Sequence, residues 1–339
     1  AKTEIQANTT TLESTMSEMQ NTEGMKAMDT LMGIVMTSDP FASTKDFSLQ
    51  PGFVKGIKNI MNPDDGNVHK AGDSHFVFSD HYGTYTWESE NTWTVVQDDP
   101  SDAIVIEFPT EPANFDQTGN NAVLTVSNYA EQEVITDTGS AWIPVTLNAK
   151  LEINGTKYVE VAYSLTLDNE GNPTEIDMSL YLKPFTYALN LTSNSIQTSL
   201  SKDGVENSLL SANLEFTFID SEMEDVERVD GNIQLGNMNM DGWVKPYALQ
   251  DSSIYAGAEN QGDIADKMNE QMDIKVYKYD TGDKLANLVF TVNESSQYTI
   301  MGNIILAFEF KDGSTEDAGP FFESIISEFE QLENEVSAK

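Results

Sequence analysis

His69, His75 and His81 fall within thirteen residues, beside Asp64, Asp65, Asp73 and Asp80. Imidazoles and carboxylates at this density are the ligand types of a zinc-like centre. Spacing works against one shared ion, because on a continuous strand the step from His75 to His81 spans roughly 20 Å. A chain reversal near Asp80 to Gly83 instead carries His75 toward Glu88. His75 and Glu88 are therefore the candidate metal pair.

Calcium is the one cofactor the sequence leaves open. Carboxylate-bearing turns occur at Asp64-Asp65-Gly66-Asn67 and Asp168-Asn169-Glu170-Gly171, and a further acidic run holds Glu222, Glu224, Asp225 and Glu227. None has the full ligand spacing of a calcium loop, and each also reads as a hairpin turn or a solvated acidic loop. Catalysis finds few parts. The chain has no Cys, three His and one arginine, Arg228, and no nucleophile elbow, phosphate loop or H-E-x-x-H motif. Paired carboxylates of the glycosidase kind are available everywhere and singled out nowhere. The expectation is a non-enzymatic protein.

An aromatic group stands out from this background. Tyr82, Tyr85, Trp87 and Trp93 crowd one short stretch, with Tyr85 and Trp87 on one face of a strand and Glu88 and Glu90 on the other. Such rings serve either to stack on sugars or partners, or to fill a sheet core, where large β-formers are at home. They are the candidate ligand-binding residues.

Charge limits the partners. Asp plus Glu number 56 against 18 Lys plus Arg, a formal net charge of −38. That field repels nucleic acid and anionic membrane surfaces, and its ordinary role is solubility. No apolar run approaches the length of a membrane-spanning helix.

The elements that must carry these residues are mainly strands. From Leu12 to Met36 the apolar residues follow helical steps: Leu12, Met16 and Met19 form one stripe, and Met25, Met28, Leu31, Met32, Val35 and Met36 a second. Thr11 or Ser14 supplies a cap, and Asp39-Pro40 a stop. From about Ser74 the period shortens to two. Ile143, Val145, Leu147, Ala149, Leu151 and Ile153 alternate with polar residues, as do Val159, Val161, Tyr163, Leu165 and Leu167. Phase disfavours a simple Asn154-Gly155 turn between these two strands, because it puts the second apolar set on the wrong face. A three-residue loop with Gly155 at a bulge pairs Ala149 with Val159 and Leu147 with Val161. The next strand moves its apolar set to Ile176, Met178, Leu180 and Leu182, so a four-residue loop from Glu170 to Pro173 pairs Leu167 with Ile176. At Lys183-Pro184 the phase switches again and the strand folds over.

Continued through about a dozen strands, this alternation predicts a β-dominated α+β protein. Its centre is a large curved antiparallel meander, either an open barrel or two layers, with N- and C-terminal helices packed on it. The expected organisation is a leader over 1–11, a helical segment over 12–72 and the meander over 73–250. A closing part over 251–339 holds a short helix near Asp263 to Met272, more strands and a C-terminal helix. That last helix carries Phe322, Ile325, Ile326, Phe329, Leu332 and Val336 on one stripe.

The texture of the whole chain resembles exported lipoproteins of Bacteroidota-type bacteria. The polar leader Ala1 to Thr11 suits a tether after a lost lipidated Cys, and the hairpin sequence Leu167-Asp168-Asn169-Glu170-Gly171-Asn172-Pro173-Thr174-Glu175-Ile176 suits their β-domains. The resemblance implies a periplasmic, outer-membrane-associated or extracellular location. It leaves three roles open: a binding or structural protein for a small molecule, lipid, glycan or envelope protein; a carrier of apolar ligands with a curved sheet and helix plug; and an acidic glycan binder or hydrolase.

Overall fold

The computed structural model of the chain describes residues 14–15, 18–19, 21–37, 77–88, 93–111, 119–136, 139–219 and 225–323. Several expectations lie outside these residues: the leader 1–11, Leu12 and Met16, the residues Asp64, Asp65, His69, Asp73, His75, Glu90, Glu222 and Glu224, and the C-terminal stripe from Ile325 onward.

Two compact units are present, one built from Glu18–Ser193 and the other mainly from Asn194–Lys339. The first contains α1 (Glu23–Thr37), β1 (Gly83–Trp87), β2 (Trp93–Gln97), β3 (Ala103–Phe108), β4 (Ala122–Thr136), β5 (Gly139–Ile153), β6 (Thr156–Leu167), β7 (Pro173–Leu182) and β8 (Phe185–Thr192). The second contains β9 (Ser195–Lys202), β10 (Leu210–Phe218), β11 (Val226–Leu235), β12 (Met238–Val244), α2 (Pro246–Gln250), α3 (Gln261–Asn269), β13 (Met272–Lys278), β14 (Lys284–Val292), β15 (Ile304–Phe310) and β16 (Thr315–Asp317).

Strand order follows the chain from β3 to β8 and from β9 to β16. At the start of the first unit β1 lies between β3 and β2, parallel to the former and antiparallel to the latter. The protein is β-dominated; β2 ends the strand order of the first unit and β16 that of the second, each with one described strand neighbour.

The hairpins correct two expected registers. Between β5 and β6 the turn is the two-residue Asn154-Gly155 that phase alone disfavoured, with both residues at positive φ, 50° and 74°. The phase is repaired one step later. Tyr158 bulges out of β6 between the Glu152–Lys157 and Leu151–Val159 pairs, so Ala149 pairs with Val161 and Leu147 with Tyr163. The expected parity holds and the register slides by two residues, because a tight turn plus a bulge preserves face identity as well as a longer loop does. The next hairpin repeats this outcome: Leu165, not Leu167, pairs with Ile176, and Leu167 meets Pro173 across an irregularity. At Lys183-Pro184 the chain reverses in a two-residue turn that pairs Leu182 with Phe185.

Bulges also redirect β4. Asn128 and Tyr129 together oppose only Leu147, and a compensating extra residue, Val145, follows on β5. The paired irregularities swing the Tyr129 ring to within 5.4 Å of Phe78 while the two long strands regain their original phase.

Helix α1 meets the core along smaller residues than the expected stripe, of which Leu31 is buried while the side chains of Met32, Val35 and Met36 lie outside the described residues. The N–H of Met25 donates to Thr22 Oγ1, so Thr22 is the cap. Its buried seam is Gly24, Ala27, Leu31 and Ile34, with Met25 and Met28 only half-buried at the margin. Gly24 explains the shift: a Cβ there would lie 2.8 Å from Val159 Cγ2 and 3.1 Å from Leu182 Cδ1. Small residues let the helix backbone approach the sheet, and methionines at that line would hold it off.

In the second unit α3 packs on β13 and β14, seating Ala265 and Met268 among Val276, Leu288, Phe290 and Phe308. Asn260 caps it by accepting from the Asp263 N–H at 3.1 Å. Residues 319–323 begin the expected C-terminal helix, with Phe321 buried 5.7 Å from Phe308.

Candidate functional site

The aromatic candidates lie on the first hairpin of the sheet. Alternation in β1 turns Gly83, Tyr85 and Trp87 inward, leaving Tyr85 3% and Trp87 5% exposed. Trp93 on β2 sits directly opposite Trp87, its ring 5.1 Å away and nearly perpendicular. Tyr82 packs edge-on against Phe78 at 5.3 Å. The Tyr85 hydroxyl donates to the His81 carbonyl at 3.0 Å, and burial raises its pKa. Tyr85 and Trp87 thus point into the core, while Tyr82 and Trp93 are half-buried beside them.

Glu88 follows β1 and accepts from Thr94 Oγ1 at 2.9 Å; its candidate partner His75 is outside the described residues. Among the described residues no cluster of three or more histidine or carboxylate side chains is arranged to hold a metal ion. Asp168, in one of the calcium-type turns, accepts the backbone N–H groups of Asn172 and Glu170 and the Asn172 side-chain amide. The bonds from Asn172 are the main cause that keeps its carboxyl below the usual range. The turn consumes this carboxylate.

His81 closes the short helical turn Phe78–His81 and is buried there. Desolvation lowers its pKa from 6.5, and the Asp80 charge opposes the shift only in part. The native state therefore binds fewer protons than the unfolded chain between the lowered value and 6.5. Stability from this group is full above that window and is lost as pH falls through it. The stability difference between the wild type and His81→Gln, followed by urea unfolding, is expected to move against the wild type as pH drops from neutral toward 5. A difference that stays constant with pH would show that His81 titrates normally in the fold.

A larger surface emerges where the sequence reading singled out no site. Registers across β5 to β8 align apolar side chains in rows: Leu151, Val159, Leu182, Phe185; then Ala149, Val161, Leu180, Tyr187; then Leu147, Tyr163, Met178, Leu189; then Leu165, Ile176, Leu191 on β6 to β8. Helix α1 covers the first row, where Leu151, Leu182 and Phe185 are buried. Away from it the residues of β6 to β8 are half-buried. With two-residue steps of about 6.8 Å and strands about 4.8 Å apart, rows two to four cover about 14 Å by about 10 Å on these three strands. The reverse face carries Glu160, Ala162, Ser164 and Thr166 on β6 and Glu175, Asp177 and Ser179 on β7. The alternation that revealed these strands was the available signal for this face; the missing information was which residues lie opposite one another.

The second unit places the lone arginine. Arg228 Nε and Nη2 donate to the two carboxylate oxygens of Asp230, each at 2.6 Å, and the guanidinium stacks 4.6 Å from the Trp243 ring centre. Asp230 and Trp243 are cross-strand partners, and the Arg228 bonds hold the Asp230 carboxyl below its usual range. Lys245 approaches the same ring at 5.7 Å. Exposed pairs of this kind are screened by solvent, so the group organises the surface more than it stabilises the fold.

No family model, curated protein or solved structure matches the chain. Its class is therefore stated from its own geometry: a β-dominated meander protein, antiparallel except where β1 meets β3, with a helix-flanked apolar sheet face in its first unit. No described helix is long and apolar enough to cross a membrane.

Proposed function

We propose that the chain is a non-enzymatic, secreted or envelope-associated binding protein, and that the half-buried apolar rows of β6 to β8 receive an apolar ligand such as a lipid tail. One observation carries the reading. Nine large apolar side chains, three on each of β6 (Val161 to Leu165), β7 (Ile176 to Leu180) and β8 (Tyr187 to Leu191), share one face in continuous register. Large contiguous apolar surface on an otherwise strongly acidic protein marks a place where something is bound. The helix α1 at one end gives the face a wall. Carboxylates that are shifted in the described residues, Asp168, Asp230 and Asp251, are all moved downward by hydrogen bonds. They serve as fixed anions in turns and ion pairs, unlike a raised general acid.

The test uses the uncharged dye N-phenyl-1-naphthylamine with the full chain. Its fluorescence is expected to rise on binding, and Leu189→Glu or Ile176→Glu to weaken the affinity by about tenfold or more, since a carboxylate is poorly tolerated against an apolar ligand. Native mass spectrometry of protein purified from its natural source provides a second arm, with a co-purifying lipid as the expected adduct. Absence of dye binding, or binding indifferent to both substitutions, would overturn the assignment.

A further inference from the structure

We infer that the outer edge of β2 is a docking site for an extended peptide strand that alternates β-branched residues and carries lysine or arginine at its ends. This goes beyond the apolar face and uses a different part of the first unit. Strand β2 ends the strand order, and among the described residues β1 is its one strand neighbour. Its residues from Thr94 to Gln97 are exposed, including the large apolar side chains Val95 at 39% and Val96 at 50%. The Asp98 N–H donates to the Tyr82 carbonyl at 3.0 Å. By the alternation of an antiparallel ladder, Val96 and Thr94 then bond inward to β1, and Val95 and Gln97 turn their N–H and C=O groups outward. The edge offers regularly spaced donors and acceptors flanked by valines on both faces.

Natural sheets usually blunt such edges with charge, proline or shortness. The strand that ends the order of the second unit does this, for β16 is the short Thr315-Glu316-Asp317. In contrast, Trp93-Thr94-Val95-Val96-Gln97 has no charge and no proline. An unprotected edge of this composition is the template for strand addition. Charge selects the occupant. Glu88 precedes the strand and Asp98, Asp99 and Asp102 follow it. A second copy paired antiparallel about Val95 would bring Glu88 of one chain against the acidic end of the other, within molecules that each carry −38. Like charges directly opposed destabilise strand pairs, and opposite charges support them. A strand with cationic ends satisfies both the ladder and the field.

The experiment selects binders to the full chain from a display library of random short peptides, then measures enriched peptides by fluorescence anisotropy. Val95→Pro and Gln97→Pro each delete one outward donor while sparing the bonds to β1, the one setting in which a strand tolerates proline. Circular dichroism confirms that each variant is folded, and either one alone suffices for the comparison. Enriched peptides are expected to alternate β-branched residues between Lys or Arg ends, to weaken with salt, and to lose about tenfold or more in affinity to the proline variants. Leu189→Glu should leave their affinity unchanged, which separates this site from the apolar face. No enrichment, acidic consensus peptides, or unchanged affinity in the proline variants would overturn the proposal. A concentration-dependent dimer in sedimentation that Val95→Pro abolishes would also overturn it, by assigning the edge to a second copy.

Discussion

Gly242→Ala is expected to destabilise the protein by about 3 kcal/mol or more, among the largest effects of any single methyl group added to this chain. Gly242 sits at φ +153° in the interior strand β12, where an added Cβ would lie 1.9 Å from the Asp273 carbonyl oxygen. Its partner across the ladder is Gly231, where a Cβ would lie 2.0 Å from the Asn213 oxygen. Both contacts are to neighbouring backbone, so no side chain can move aside and the ladder itself must open. Gly282→Ala separates strain from clash, since Gly282 is also left-handed, at φ +69°, but nothing lies within 4 Å of its Cβ position. It should cost about 1 kcal/mol. Urea unfolding followed by circular dichroism gives both values, and equal losses would mean that the close approach at Gly242 is not present in solution.

Phe185→Ala carries the second large effect, about 3–5 kcal/mol. Phe185 is 0% exposed, paired with Leu182, which α1 approaches at Gly24. Removing its ring leaves a cavity in a packed layer. Leu191→Ala, at the far end of the same face on the same strand, should cost only about 1 kcal/mol, because a half-buried side chain loses little on truncation. This gradient along β8 is what the apolar-ligand proposal requires. Similar losses at both positions would mean that the outer rows are covered in solution, leaving no surface for a ligand to occupy.

Much of the architecture was legible because side-chain period reports strand burial directly. The odd-numbered set from Leu147 to Leu167 and the even-numbered set from Ile176 to Leu182 do share one face, as alternation implied. Registers were not legible. A two-residue slide leaves every side chain on its face, so the pattern could not distinguish Leu147 opposite Val161 from Leu147 opposite Tyr163. Bulges at Tyr158 and around Asn128 have no compositional mark. The expected stripe of α1 included Leu31 but missed Gly24 and Ala27 for a related reason: methionines look more apolar, yet close approach to Val159 rewards the smallest residues.

Site residues followed the same division. Tyr85 and Trp87 were correctly placed on one strand face, but one strand cannot say whether that face meets solvent or core. The cover came from elsewhere, from Ala27, Leu31 and Ile34 of α1 and from Phe78, which join Tyr85 and Trp87 in one core cluster. Arg228 stood out in composition, while its clamp on Asp230 and the Trp243 ring required Trp243 to be brought opposite Asp230 across the ladder.

The sequence by itself determined the period of each element, the face of each strand and the acidic field around the molecule, because these depend on near neighbours and on summed charge. Tertiary structure decided which strands became edges, which rows were roofed by α1 and which aromatic rings were buried. Those outcomes depend on contacts between distant residues, where a single bulge changes the partner of every residue beyond it without changing any local preference.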